Sequence, residues 1–268
     1  MKIITAICLI VGLVSAKPTI EEINLSNIFK TRKGTIVIYD SEKDRYFIHN
    51  TNRSKMRFTP FSTFKIPNSI IAIETGIIEN TETEFQWDSA SYPYEAWWPE
   101  QWLGKHTMRS AIKFSVVPFY REIASRVGKE RMQAFVDKFD YGNRDISSGE
   151  DNFWLNGSLS ISAMEQVAFL RKFYENKLGV SSEAIAAVKD ILVQEETERY
   201  RLSAKTGGGT GFDKANSDKA LGWYVGYVEK GKNLYYFAMN IEGGSFNDIL
   251  SPRKEITVEA FKYLKIIN

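Results

Sequence analysis

The stretch that decides the fold is GTIVIY at residues 34–39, a run of β-branched side chains that predicts a buried strand. A turn-rich segment, residues 40–44, follows it and leads into a second strand-like run at residues 45–49. Near the other end of the chain, residues 221–229 and 233–241 repeat this pattern. The sequence therefore predicts one β-hairpin near each end of the chain.

The central part of the chain has helical periodicity, and the final segment does too. Ser162 and Glu165 form a capping box at the start of one predicted helix. The predicted helices span residues 116–127, 131–139, 162–174, 181–192 and 256–267. The last of these is expected to bring the chain back onto the sheet.

This order of elements predicts an α+β fold: an antiparallel β-sheet built from both chain termini and flanked by helices, with an inserted all-helical subdomain. We expect one unit, residues 17–268, with a sheet subdomain of about residues 17–60 and 195–268 and a helical subdomain of about residues 61–194.

Residues 1–16 are predicted to be a secretory signal peptide. Lys2 is followed by an apolar run, residues 3–14, and the segment ends in the small residues Ser15 and Ala16. The run is about half the length that a bilayer crossing needs. The only cysteine, Cys8, lies inside it, so the mature chain is expected to carry no disulfide and no lipid anchor. We expect a secreted protein, periplasmic in a Gram-negative host, with no membrane association in its mature form.

Charge and composition argue against several classes of partner. Removal of residues 1–16 changes the net charge from +2 to +1, which does not steer the protein toward nucleic acid or an anionic membrane. Only His49 and His106 remain as imidazole ligands, without any cysteine to join them, so no metal site is expected. The remaining 252 residues are enough to bury a substantial core.

The segment PFSTFKIPN, residues 60–68, places a hydroxyl and an amine three residues apart. On a helix, Ser62 and Lys65 would share one face and touch. The simpler interpretation is that Ser62 only begins a helix while Lys65 points to solvent, since Ser110–Lys113 and Ser251–Lys254 have the same spacing. The first copy differs in its apolar neighbours, which would desolvate the amine, lower its pKa and leave a base beside a nucleophile. These neighbours are Phe61, Phe64, Ile66, Ile70 and Ile71.

A second candidate segment is Lys205-Thr206-Gly207-Gly208-Gly209, which precedes a predicted strand. It is not a phosphate-binding loop, because its lysine comes before the glycines. One interpretation is a flexible glycine loop. The other is the edge of an active site, where Gly208 offers its N–H and Lys205 and Thr206 present a cation and a hydroxyl.

Taken in order, these motifs resemble those of the class D (OXA-type) serine β-lactamases, within the penicillin-recognising enzyme superfamily. The similarity includes FSVVPFYREIA and GWYVGYVE and extends over nearly the whole mature chain. Val117 replaces the asparagine that class A enzymes and most penicillin-binding proteins carry at that place. The motifs that carry the resemblance are Ser62-Thr63-Phe64-Lys65, Ser115-Val116-Val117, Tyr141-Gly142-Asn143, Trp154-Leu155 and Lys205-Thr206-Gly207.

The resemblance implies hydrolysis of β-lactam antibiotics through a serine acyl-enzyme. Ser62 would be the nucleophile, and Lys65 would react with carbon dioxide to become N6-carboxylysine, the general base. No other cofactor is implied. The indole N–H of Trp154 would hold the carbamate, while Ser115 and Lys205 would pass a proton to the leaving nitrogen.

The remaining site residues would bind the substrate, a small-molecule β-lactam. The N–H of Gly208 and that of Ser62 would hold the oxyanion. Thr206 and Arg253 would bind the carboxylate of the drug; an exposed arginine at the start of a helix is the alternative for Arg253. Val117 and Leu155 would form an apolar pair over the carbamate, and Tyr141 and Asn143 would hold the architecture of the site.

Two other functions remain open at this stage. One is a β-lactam-sensing receptor domain that keeps the acyl group, although such a receptor would carry membrane helices ahead of the domain. The other is a penicillin-binding peptidase, which Val117 argues against. Relatives often have a bulkier residue where this chain has Gly208. Tryptophans other than Trp154 are expected in the core, and the protein is expected to be a monomer or homodimer.

Overall fold

The computed structural model describes residues 17–155, 157–212 and 218–267, so the predicted signal peptide lies outside the described residues. The strands are β1 (Thr19–Glu22), β2 (Gly34–Asp40), β3 (Arg45–His49), β4 (Glu84–Gln86), β5 (Lys105–Thr107), β6 (Val193–Glu196), β7 (Arg201–Thr210), β8 (Ala220–Lys230) and β9 (Asn233–Gly243). The helices are α1 (Ser26–Phe29), α2 (Thr51–Ser54), α3 (Lys65–Glu74), α4 (Met108–Phe114), α5 (Val117–Val127), α6 (Lys129–Phe139), α7 (Ala163–Tyr174), α8 (Ser182–Ile191), α9 (Asn247–Leu250) and α10 (Pro252–Tyr263), with 3₁₀ turns at Phe61–Phe64 and Glu100–Trp102.

In the described part of the chain, the main sheet has seven strands in the order β1-β3-β2-β9-β8-β7-β6. Both predicted hairpins are confirmed: β2 pairs with β3 and β8 pairs with β9, each antiparallel. The two hairpins join through an antiparallel pair of β2 and β9, in which Gly34 lies opposite Ile241. The expected sheet from both ends of the chain is therefore confirmed. It differs from the expectation in one place, because the edge strand β1 is parallel to β3.

The sheet is covered on both faces, so every residue of β2 is buried. Val37 and Tyr39 belong to the core between the sheet and the helical region, whereas Ile36 and Ile38 belong to a second core on the opposite face. This alternation follows from the two-residue period of a strand. Helix α10 covers the second face, where the Phe261 ring meets Phe237 edge-on at 5.0 Å.

The last helix begins and ends about one turn earlier than the sequence predicts. The prediction covered residues 256–267, whereas α10 spans Pro252–Tyr263. Proline is favoured in the first turn of a helix, because its missing N–H has no partner to lose there. Pro252 was therefore the start signal that the periodicity did not reveal.

The inserted region is mostly, but not entirely, helical. Helix α7 has the predicted capping box, with Ser162 and Glu165 bonded to each other's backbone N–H groups. The prediction of an all-helical insertion is wrong in one segment, because β4 and β5 form a two-stranded sheet there. Pro93 and Pro99 lie between these strands, and proline interrupts a helix by removing an N–H donor.

Within the three described ranges, no helix is both long enough and apolar enough to cross a membrane.

Candidate active site

Ser62 lies in the 3₁₀ turn that leads directly into α3, which begins at Lys65. The turn is held by Thr63, whose N–H and hydroxyl both donate to the Pro60 carbonyl, at 3.2 and 2.8 Å. Ser62 therefore precedes the helix and does not cap it. The Nζ atom of Lys65 donates to the Oγ atom of Ser62 at 2.8 Å, so the predicted contact between amine and hydroxyl is present.

The amine of Lys65 is sealed from solvent. The residue is 1% exposed, and its neighbours Ile66 and Ile70 are buried with it. The Tyr120 ring lies 5.2 Å from Nζ. Burial lowers the pKa of Lys65 from 10.5 to about 7, because a charged amine is poorly solvated there. The alternative in which Lys65 points to solvent is therefore wrong, and a large share of this amine is neutral at neutral pH.

A second hydroxyl–amine pair faces the first. Ser115 follows α4 in the left-handed conformation, with φ 58°, and accepts a hydrogen bond from the Nζ atom of Lys205 on β7. The same Nζ donates to the Thr206 carbonyl at 3.0 Å. The pKa of Lys205 is held well below 10.5 by burial and then by the positive charges of Lys65, Arg253 and Lys254. The Lys205 ammonium therefore gives up its proton more easily than that of a solvent-exposed lysine.

The glycine-rich segment is part of strand β7, whereas the sequence placed it in front of a strand. Gly208 pairs with Gly222 of β8. Arg253, near the start of α10, donates from Nη1 to the Gly207 carbonyl at 2.6 Å. A Cβ atom at Gly208 would lie 2.9 Å from this Nη1, so a glycine here lets the guanidinium approach the strand closely.

Arg253 is partly buried, so the alternative of an exposed arginine at the start of a helix is wrong. Burial lowers the pKa of Arg253 from 12.5 to about 10. The guanidinium therefore stays charged at neutral pH, as binding of a carboxylate requires.

Trp154 lies fully buried beside the 3₁₀ turn that carries Ser62. Its ring stacks on Phe64 with the centroids 5.4 Å apart, and Phe153 meets it edge-on at 4.9 Å. Among the residues that the structure describes, no atom forms a hydrogen bond with Trp154 Nε1. An unpaired buried N–H is costly. The indole that carries this N–H stacks on Phe64, the residue directly before Lys65.

The predicted residues meet at one cavity of about 620 Å³. The buried side chains of Lys65 and Lys205 donate hydrogen bonds to lining residues, and Trp154 packs on the 3₁₀ turn that carries Ser62. The predicted residues that line the cavity are Ser62, Ser115, Val117, Leu155, Thr206, Gly208 and Arg253.

Tyr141 and Asn143 lie outside the lining of this cavity and support the elements around it. Asn143 donates to the Ser158 carbonyl at 2.7 Å and accepts from the Ser160 N–H at 2.9 Å. The Tyr141 ring meets Phe64 edge-on at 5.5 Å. These contacts support the predicted architectural role of both residues.

Several residues that line the cavity were not predicted from the sequence, and the prediction for Trp97 was wrong. This indole is 61% exposed at the cavity, although all tryptophans other than Trp154 were expected in the core. It meets Trp102 edge-on at 5.4 Å and donates to Glu95 at 2.6 Å, so its position is fixed. The crowding of tryptophans between residues 97 and 102 was the signal available. The other lining residues that were missed include Phe61, Trp102, Arg121, Asn152 and Phe246.

Comparison with known proteins agrees with this geometry. The penicillin-binding protein transpeptidase domain family matches residues 28–262. β-Lactamase OXA-48 of Klebsiella pneumoniae is 40% identical over 235 residues, which cover 88% of this chain and 84% of the relative.

Two solved structures superpose on nearly the whole fold. The class D β-lactamase of Sebaldella termitidis has a TM-score of 0.86 at 34% identity, covering 94% of this chain and 100% of its own. The C-terminal domain of the BlaR penicillin receptor of Bacillus licheniformis has a TM-score of 0.86 at 30% identity, covering 95% and 100%. A buried lysine beside a serine, a second serine–lysine pair and these matches lead to one conclusion: the chain belongs to the penicillin-binding transpeptidase domain family and, within it, to the class D serine β-lactamases.

Proposed function

We propose that the protein hydrolyses β-lactam antibiotics through an acyl-enzyme on Ser62, with Lys65 carboxylated by carbon dioxide as the general base. One observation carries this proposal: the Lys65 amine is fully buried 2.8 Å from the Ser62 hydroxyl, and its pKa is lowered to about 7. Only an unprotonated amine attacks carbon dioxide, and burial favours that form.

The residues around Lys65 fit a carbamate. A buried anion needs hydrogen-bond donors and positive charge, and Trp154 Nε1 is a buried donor without a partner in the described part of the chain. Lys205 in its charged form adds positive charge, and the charged form of Lys65 lowers the pKa of Lys205. Carboxylation would replace the Lys65 amine, which is charged only in part at neutral pH, with an anion that attracts the Lys205 ammonium. When present, the carbamate supplies a base that accepts the Ser62 proton and later activates the hydrolytic water.

In the acylation step, Ser62 Oγ forms a bond to the lactam carbonyl carbon and loses its proton. The backbone N–H groups of Ser62 and Gly208 stabilise the oxyanion. The lactam C–N bond then breaks, and the nitrogen takes a proton from Ser115, which Lys205 replenishes. The lowered pKa of Lys205 supports this role, because it makes the ammonium a better acid.

Substrate binding falls to the other residues of the cavity. The Arg253 guanidinium and the Thr206 hydroxyl line the cavity and are suited to hold the carboxylate that β-lactams share. Val117 and Leu155 supply apolar side chains that limit the entry of water toward Lys65. The substrate is therefore a small molecule with a strained amide next to a carboxylate.

A second candidate is a receptor domain that keeps the acyl group, which the superposition with the BlaR penicillin-receptor domain favours. The test is to mix the purified protein with excess nitrocefin in bicarbonate buffer. Continued turnover, lost in Ser62→Ala, is expected. A single stoichiometric burst would instead support the receptor or a penicillin-binding peptidase.

We also propose that residues 1–16 direct export and are removed, which would make the protein periplasmic in a Gram-negative host. The apolar run after Lys2 supports this proposal. Mass spectrometry of the exported protein should find an N-terminal peptide that begins at Lys17, and a retained Met1 would contradict it.

A further inference from the structure

The residue directly before the nucleophile has an unusual backbone conformation. Phe61 has φ 49°, in the left-handed region that residues with a Cβ atom adopt rarely. The conformation persists only where surrounding structure enforces it. Phe61 is 4% exposed and lines the cavity, so its ring belongs to the wall next to Ser62.

The Phe61 ring packs against the backbone of Gly209. A Cβ atom at Gly209 would lie 2.3 Å from Phe61 Cε1 and 2.8 Å from Cδ1, closer than any side chain could be. The ring therefore occupies the space that a side chain at position 209 would need. The contact joins the turn that carries Ser62 to strand β7.

A second glycine on the same face of β7, Gly207, contacts the turn at Pro60 and Thr63. A Cβ atom at Gly207 would lie 2.8 Å from the Pro60 carbonyl oxygen and 3.0 Å from Thr63 Cγ2. The residues before and after Ser62 thus pack against β7 at two glycines, which carry no side chains. Between them, Ser62 is held against Lys65 at 2.8 Å.

We propose that Phe61 is a positioning residue. Its ring packs against Gly209 and holds the left-handed turn, so that the Ser62 hydroxyl and N–H point at the substrate carbonyl. This inference rests on the proposed function, because it assigns the ring to the acylation step. Displacement of the ring rotates the turn, and a small misplacement of a nucleophile lowers the rate steeply.

The test is a double-mutant cycle on the acylation rate, measured by the mass shift of the intact protein after mixing with benzylpenicillin. Gly209→Ala pushes the ring away, so acylation should slow by roughly tenfold or more. Phe61→Gly tolerates the left-handed backbone but no longer holds it, and should also acylate more slowly. In the double variant the methyl group meets no ring, so its rate should equal that of Phe61→Gly within about twofold.

Several measurements separate positioning from simple destabilisation. Deacylation of the preformed acyl-enzyme should slow less than acylation in Gly209→Ala, because the ester bond already fixes Ser62 Oγ and only the Ser62 N–H is misplaced, whereas general loosening of the site would slow both steps equally. Wild-type acylation in Phe61→Gly, or losses that multiply in the double variant, would overturn the proposal. Phe61→Gly alone decides if Gly209→Ala fails to fold. If the wild-type protein acylates without turnover, the hydrolase proposal fails while this cycle remains measurable.

Discussion

Lys65 Nζ lies 2.8 Å from Ser62 Oγ, with the lysine buried and the serine at the cavity. A buried amine would normally be avoided, because its charged form is costly there. Its retention next to a hydroxyl makes the pair the centre of the predictions that follow.

Lys65→Ala is expected to lower turnover of nitrocefin by roughly 10²–10⁴-fold, because the general base is lost. Deacylation should be abolished, so that intact-mass analysis after mixing with penicillin finds a lasting adduct on Ser62. Lys113→Ala is the matched control, since Ser110 and Lys113 have the same spacing but Lys113 is exposed. Normal turnover by Lys65→Ala would refute a catalytic role for this amine.

Removal of dissolved carbon dioxide is expected to lower the hydrolysis rate reversibly. The pKa of Lys65 is about 7, so the amine is mostly protonated below that pH and reacts less with carbon dioxide. At equal dissolved carbon dioxide, added bicarbonate should therefore stimulate the degassed enzyme more strongly at about pH 8 than at about pH 6. Initial rates measured with and without bicarbonate check this prediction. Rates that do not change on addition of bicarbonate at either pH would rule out the carbamate.

Lys65→Met is expected to stabilise the protein while it inactivates it. Between pH 10.5 and about 7 the unfolded chain binds a proton that the folded Lys65 does not, so wild-type stability falls as the pH falls through this window. Methionine removes this linkage. The gain should be about 1–2 kcal/mol at neutral pH and should shrink toward pH 10. Thermal melts in degassed buffer measure it; an equal gain at both ends of the window would contradict the burial argument.

Arg253→Lys is expected to raise KM for penicillins more than it lowers kcat. The lysine keeps the charge but loses the planar fork that grips a carboxylate with two bonds. A fall in kcat/KM of roughly 10–100-fold is expected for the loss of a charge-assisted bond. Lys262→Ala removes an exposed cation on the same helix, outside the cavity lining, and serves as the control that should change kcat/KM little. An unchanged KM in Arg253→Lys would remove Arg253 from the carboxylate site.

Trp97→Ala is expected to affect only substrates with an apolar side chain on the β-lactam ring. Trp97 is exposed at the cavity and fixed by Trp102 and Glu95, so it offers a rigid aromatic surface. The kcat/KM for benzylpenicillin should fall by roughly tenfold, a loss typical of one aromatic contact, while that for 6-aminopenicillanic acid stays constant. Tyr94→Ala removes a similarly exposed ring outside the cavity lining and serves as control. Equal losses for both substrates would indicate general damage.

Most of the sheet and the reacting pair could be predicted from the sequence, because each depends on short-range patterns. The runs of β-branched and aromatic residues in β2 and β8 and the three-residue spacing of Ser62 and Lys65 are local signals. The apolar neighbours of Lys65 were enough to predict its burial.

The rest depends on contacts between distant segments. Glycines 207–209 indicated a loop, but pairing with β8 makes them a strand. Nothing local shows that Arg253 bonds to the Gly207 carbonyl, or that the Phe61 ring needs an empty position at Gly209. Trp97 was expected in the core because burial is the usual fate of a tryptophan, and only its neighbours keep it at the surface.

The junction of β2 with β9 has a consequence for biosynthesis. Strand β2 ends at Asp40, and its partner begins at Asn233, so the ribosome must deliver nearly the whole chain before the two can meet. Pairings this remote in sequence form slowly. A nascent chain therefore keeps one edge of β2 unpaired until synthesis is almost complete, so the seven-stranded sheet closes only late in synthesis or after it.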